Sequence, residues 1–180
     1  MESLLFCRIS VIIITASQEE GQMSKHLIVY TTKYGTTEKA AGIIKDNLPG
    51  AITCNLKKEK CPELENFDWI IIGGSIYAGR IQKELKKFCR QNLSRLLPKN
   101  LGLFICCMYD GEKAEKQFLE AFPEELRRAA RVRAIFGGEL SLDKINFLEK
   151  FVIKKFIGVK ESVSRFQPQA IAEFARKLGE

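Results

Sequence analysis

Asp68-Trp69-Ile70-Ile71-Ile72-Gly73-Gly74-Ser75, running on through Ile76-Tyr77-Ala78-Gly79-Arg80, is the stretch on which the fold turns. Its isoleucines are β-branched and nearly unbroken by polar residues, as expected of a central parallel strand covered on both faces. Upstream, HLIVYT (26–31) reads as a shorter buried strand that breaks into the loop TKYGT and a helix from about Thr37 to Asn47, closed by Leu48-Pro49-Gly50. AITCNL (51–56) is the strand between them, and KKEKCPELENF (57–67) is a charged connector too polar for a core. Downstream come a basic helix over about 81–97, strand NLGLFICCM (100–108), and a helical stretch 112–130 interrupted near Pro123. Strand VRAIFGGEL (132–140) then ends in a glycine pair, an apolar and basic insertion covers 141–166, and Pro168 opens a closing helix. Strands alternating with helices predict an α/β domain with a parallel sheet and right-handed crossovers.

The 180 residues are 46% hydrophobic and 28% charged, which excludes a disordered or low-complexity chain. With 29 Lys and Arg against 22 Asp and Glu, the net charge is +7 and favours anionic partners. The cysteines (Cys7, Cys54, Cys61, Cys89, Cys106, Cys107) contain no CxxC pair and His26 is the single histidine. That pattern supplies neither metal-ligand spacing nor a Cys/His dyad, and it reads as free thiols in a reducing cytosol. It also removes the usual general base, so an enzyme built on this chain needs a cofactor for its chemistry.

Residues 1–22 stand apart as an N-terminal extension to the domain at 23–180. LLFCRISVIIITAS is too short to span a bilayer and carries Arg8 within it. Thr15-Ala16-Ser17 resembles a cleavage site, but Glu2 stands where a secretory signal needs positive charge. A start of translation at Met23 is the expectation, testable by N-terminal sequencing.

Two loops carry the chemistry. TTKYGTT (31–37) follows the first strand and GGSIYAGR (73–80) follows the third, so both lie at carboxyl ends of strands. In a doubly wound sheet of order 2-1-3-4-5 those strands are neighbours at the switch point, where a ligand crevice opens. The hydroxyls of Thr32, Thr36 and Thr37, with amides at a helix N-terminus and Gly35 for the turn, suit a phosphate monoester; a plain helix cap is the alternative. No GxxxxGK[ST] follows a strand and no GxGxxG opens a helix. Gly73 and Gly74 are read as letting the backbone approach a flat ligand, and Ser75, Ile76, Tyr77, Ala78 and Gly79 offer peptide groups and one aromatic to its edge and face. CCMYDG (106–111) forms a third wall with Tyr109, while Cys106 and Cys107 read as packing residues.

IVYTTKYGTTEKAA, FDWIIIGGSIYAGRIQKELKKF and GGELSLDKINFLEKFVIKKFIG, in that order, resemble the flavodoxin family and, within it, the flavodoxin-type, quinone-coupled protoporphyrinogen oxidases. The resemblance covers roughly residues 25–178. It implies a flavodoxin-like five-stranded sheet with helices on both faces, and noncovalent FMN at the switch point, a known instance of the crevice rule. The cofactor-binding residues assigned are Thr31, Thr32, Lys33, Tyr34, Gly35, Thr36, Thr37, Ser75, Ile76, Tyr77, Ala78 and Gly79 on the two loops the resemblance covers, and Met108, Tyr109 and Asp110 from the position of the third loop after its strand. No catalytic side chain and no metal ligand is assigned. For the oxidase branch the resemblance implies dehydrogenation of a porphyrinogen and delivery of electrons to a quinone. Lys33-Tyr34 departs from the small hydroxyl residues of many flavodoxins, and CCMYDGEKAEK matches neither branch.

Flavodoxins are acidic, whereas Arg80, Lys83, Lys86, Lys87, Arg90, Arg95 and Lys99 face Glu84 alone. Such a surface fits porphyrin propionates or an anionic membrane, with Arg80 near a reduced flavin, or simply a solvated helix face. Ile145, Leu148, Val152 and Phe156 form a helical stripe, widened by Phe147 and Phe151, opposite Lys150 and Lys154. It suits core packing, or contact with a bilayer or partner. The expectation is a cytoplasmic protein, peripheral at the inner face of the membrane, that binds no nucleic acid. The reading is an FMN-dependent oxidoreductase with a quinone or redox-protein partner. Its alternatives are a flavodoxin-like electron carrier without a small-molecule substrate and a cofactor-free interaction domain.

Overall fold

In β1 (His26–Thr31), side chains alternate between two hydrophobic layers, Leu27 and Val29 into one, Ile28 and Tyr30 into the other. The computed structural model describes residues 24–140 and 163–179. The N-terminal extension, the Met23 start and the stripe over Ile145 to Phe156 therefore lie outside the described residues. β2 (Ile52–Asn55), β3 (Trp69–Tyr77), β5 (Asn100–Cys107) and β6 (Ala130–Gly137) join β1 in the order β2-β1-β3-β5-β6, every neighbouring pair parallel. Counting the parallel strands alone, this is the doubly wound 2-1-3-4-5 order. The two-residue β4 (Arg80–Ile81) pairs antiparallel with the end of β3.

Helices cover both faces. α1 (Thr36–Asp46) and the closing α6 (Pro168–Gly179) bury Ala40, Ile44, Ile171, Phe174 and Leu178 against Ile28, Ile71, Phe104 and Phe136. Phe104, Phe136 and Phe174 form a ring cluster with centroids 5.1 to 6.0 Å apart, within the range of favourable aromatic packing. On the opposite face α2 (Lys83–Gln91), α3 (Leu93–Leu96), α4 (Gly111–Ala121) and α5 (Glu124–Ala129) pack Leu85, Phe88, Leu96, Phe118 and Leu126 onto Ile70, Ile72, Leu103 and Ile105.

Several sequence expectations are corrected. The basic helix breaks at Asn92, whose side-chain amide donates to the Phe88 carbonyl at 3.0 Å. The fifth strand stops at Gly137, where the Arg165 backbone occupies the place of a side chain, and the Arg165 N–H donates to the Gly138 carbonyl at 2.9 Å. Beyond it β7 (Glu139–Leu140) forms a separate antiparallel pair with β8 (Val163–Ser164). The connector is less polar than expected, since Leu64 is 1% exposed within the core. It also engages part of the basic surface: Arg95 pairs with the Glu63 and Glu65 carboxylates at 2.8 and 2.6 Å, and Lys99, its charge unpaired by this contact, donates to the Phe67 carbonyl at 2.7 Å. Arg80, Lys83, Lys86, Lys87 and Arg90 remain exposed.

Tyr30 gives the fold an alkaline limit. Its hydroxyl donates to Glu38 Oε1 at 3.2 Å, and burial, then the Glu38 charge, push its pKa up to about 12. The folded value lies above the unfolded one, so this contribution is intact below pH 10.0 and is lost as pH rises through about 12. Thermal melts across that window should show falling stability, with a shallower fall in Tyr30→Phe; equal slopes would rule Tyr30 out as the cause.

Candidate functional site

The carboxyl ends of β1, β3, β5 and β6 open onto one cleft of about 490 Å³. Its first wall is the turn after β1. Gly35 adopts φ 95° there, a left-handed conformation that costs glycine little, and caps α1 without any side-chain bond. The Gly35 N–H donates to Thr32 Oγ1 at 3.0 Å, tightening the turn, while Thr36 and the side chains of Lys33 and Tyr34 face the cleft. Behind this turn the Thr37 side chain is 0% exposed and its hydroxyl has no hydrogen-bond partner. Such a group costs about 1–3 kcal/mol until something binds it. It stands in the first turn of α1, where helix amides lack partners within the helix.

The second wall is a hairpin rather than a loose loop. β3 runs on to Tyr77, turns through Ala78 (φ 48°) and Gly79 (φ 77°), and returns as β4, with Tyr77 opposite Arg80. Two successive positive φ values match the tight hairpin turn compatible with strand twist. The hairpin presents Ser75, Ile76, Tyr77, Ala78 and Gly79 to the cleft. Gly73 and Gly74 do not approach a ligand as expected; both are buried, Gly73 beneath the Phe104 ring and Gly74 against Leu85, Gln82 and Ile81. Thr31 is likewise buried. Its hydroxyl donates to Gln82 Oε1 at 2.7 Å, and Gln82 Nε2 donates to Ser75 Oγ at 2.7 Å, tying the ends of β1 and β3 together.

Met108 and Tyr109 form the third wall, whereas the Asp110 side chain is exposed and paired with Arg165 at 3.1 Å, away from the lining. Cys106 and Cys107 point to opposite faces of the sheet; burial pushes the Cys106 thiol up to about 12, and the Cys107 thiol donates to the Tyr109 carbonyl at 3.2 Å. The cleft floor therefore presents thiols rather than thiolates at neutral pH. Cations cover two of its rings: Lys33 Nζ lies 3.3 Å from the Tyr77 ring centroid and Lys113 Nζ 3.5 Å from that of Tyr109. Tyr34 meets Tyr77 edge-on at 6.0 Å. His26, at the amino end of β1, stacks on Trp69 at the opposite end of the sheet.

Sequence reasoning did not assign Lys113, Gln117, Gly138 and Glu139, which also line the cleft. Lys113 and Gln117 are four residues apart on α4 and so share a face. Gln117 is 8% exposed and its Oε1 has no partner. Their spacing was the available signal, and it required α4 to be placed against the sheet first.

The fold and this cleft define a doubly wound protein with a switch-point site. The flavodoxin domain pattern matches residues 27–165, and the chain belongs to that family. It is 22% identical over 173 residues to the protoporphyrinogen IX dehydrogenase [quinone] of Escherichia coli strain K12, covering 86% of this chain and 94% of that protein. Among solved structures it is similar to a short-chain flavodoxin associated with a bacterial microcompartment, at TM-score 0.57 and 17% identity over 87% of this chain and 97% of that one. A flavodoxin of Fusobacterium nucleatum bound to flavin mononucleotide superimposes at TM-score 0.51 with 16% identity, covering 87% and 97%.

Proposed function

We propose that the chain binds FMN in this cleft and acts as a flavin-dependent oxidoreductase that takes hydrogens from a porphyrinogen and passes electrons to a quinone. The observation that carries the flavin reading is Thr37, a buried hydroxyl without a partner at the N-terminus of α1, where a phosphate would satisfy it. Thr32, Gly35 and Thr36 complete that cradle. Ser75 to Gly79, Met108 and Tyr109 would hold the ring, with peptide groups along its edge and tyrosines beside it. Bound flavin would supply the electron transfer, for which no side chain here is suited. The chain's part is to orient the ring and exclude water: Lys33 and Lys113, each over a tyrosine, stand on opposite walls as positive charges for a carboxylate-bearing substrate. The porphyrinogen and quinone come from the relationship to the E. coli dehydrogenase, and the exposed Arg80, Lys83, Lys86, Lys87 and Arg90 are consistent with an anionic substrate or a membrane surface. Among the described residues no helix is long and apolar enough to cross a membrane; the membrane contact in this reading is the electrostatic one of the exposed basic residues.

The test is reconstitution. Purified chain should quench FMN fluorescence at one site per chain and then, without oxygen, convert protoporphyrinogen to protoporphyrin in step with quinone reduction. FMN binding without turnover would leave the electron-carrier reading; indifference to FMN would overturn both.

A further inference from the structure

The connector after β2 folds back over the edge of the sheet through a turn built by Asn55. The Asn55 N–H donates to Glu59 Oε1 at 2.8 Å, the Lys57 N–H to Asn55 Oδ1 at 3.1 Å, and the amides of Lys58 and Glu59 to the Asn55 carbonyl at 2.8 and 3.0 Å. This reversal packs Cys61 on the hydrophobic cluster that contains Cys54, close enough that each thiol shifts the ionisation of the other. Both are free, Cys54 only 1% exposed and Cys61 half-buried, so Cys61 is the more accessible residue of the two. The remaining described cysteines lack this arrangement. Cys89 is fully buried and pushed up to about 12 by burial, and Cys106 and Cys107 face opposite sides of the sheet.

We propose that Cys54 and Cys61 are a redox pair that closes into a reversible disulfide on reaction with a hydroperoxide, latching the connector to the edge strand. Cys61 is the attacking residue. The neighbouring Cys54 thiol and then the nearby Arg95 charge hold its thiol below the ordinary range, against the opposing effects of burial, Glu63 and Glu59. Arg95 is itself paired with Glu63 and Glu65, so its help is partial. The Cys61 thiolate attacks one peroxide oxygen; the O–O bond breaks, and the departing oxygen takes a proton to leave as alcohol, or as water from hydrogen peroxide. The Cys61 sulfenic acid that remains is attacked by the Cys54 sulfur. An S–S bond forms, and the sulfenic hydroxyl leaves with the Cys54 proton as water. In sum two thiols lose two electrons and two protons, and one hydroperoxide is reduced to alcohol and water. The latch needs no flavin and holds whether or not the proposed oxidoreductase activity does.

Peptide mapping of the purified full-length chain tests this. Reduced protein is exposed to equimolar hydrogen peroxide, blocked with N-ethylmaleimide and digested without reductant. The expected product is a Cys54–Cys61 cross-linked peptide that forms before Cys89 or Cys106 is modified and disappears on adding dithiothreitol. Maleimide should label Cys61 at least about tenfold faster than either of those buried thiols. In Cys54→Ser the Cys61 sulfenic acid should persist and be trapped by dimedone. Oxidation of wild-type Cys61 without cross-linking, a cross-link to any other cysteine, or a pair still reduced when Cys89 has reacted would each overturn the proposal. The wild-type map decides the question even if the serine variant fails to fold.

Discussion

Replacing Gly73 with alanine should cost about 3 kcal/mol or more of folding stability, at the upper end of the usual range for an added methyl in a packed core. Gly73 lies opposite Phe104 in the β3–β5 ladder, and the Phe104 ring lies over its α-carbon where a β-carbon would point. The ring cannot swing away: it is 0% exposed and packs against Phe136 at 5.1 Å and Phe174 at 6.0 Å. A domain of ordinary stability has only about 5–15 kcal/mol in hand, so the variant should melt far below wild type or accumulate as aggregate. Two companions isolate the cause. Gly42→Ala, in α1 with nothing within 4 Å of the added carbon, should be neutral or stabilising by about 0.5–1 kcal/mol. Adding Phe104→Leu to Gly73→Ala should recover part of the loss, because a smaller side chain frees the space the methyl needs. Equal melting temperatures for wild type and Gly73→Ala would show that the ring is not confined as described.

That glycine also marks where reading the sequence reached its limit. The sheet order and the two loops that line the cleft were legible because they depend on local signals: unbroken β-branched runs for buried strands, and glycine with hydroxyl residues where strands hand over to helices. What Gly73 and Gly74 are for was not legible, because their neighbours come from β5, α2 and β4, brought close only by the fold. The β3–β4 hairpin escaped for a local reason. Its turn is Ala78-Gly79, and an alanine at φ 48° is not the asparagine or aspartate that announces such turns. The basic stretch looked stronger than it is because Arg95 and Lys99 find their partners in a connector about thirty residues upstream. Gln117 was missed because an unpartnered buried amide becomes visible only once α4 is seated beside the cleft.

Thr37→Val should move two measurements in opposite directions. Valine keeps the branched shape and removes only the hydroxyl, which is fully buried and without a partner. The Cys106 sulfur is near enough to feel that hydroxyl but does not satisfy it. Losing an unsatisfied polar group relieves a desolvation cost, so the flavin-free protein should gain about 1 kcal/mol, a rise of roughly 2–4 °C in melting temperature for a chain of this size. On the proposed reading the same hydroxyl donates to the FMN phosphate, a charge-assisted bond of about 1.5–3 kcal/mol. Its removal should weaken FMN binding roughly tenfold to a hundredfold. Riboflavin, which has the ring but no phosphate, should bind wild type and Thr37→Val alike, separating loss of the phosphate contact from distortion of the ring site. If instead Thr37→Val lowers the melting temperature and leaves FMN affinity unchanged, the hydroxyl belongs to the core, and the phosphate site must be sought away from the N-terminus of α1.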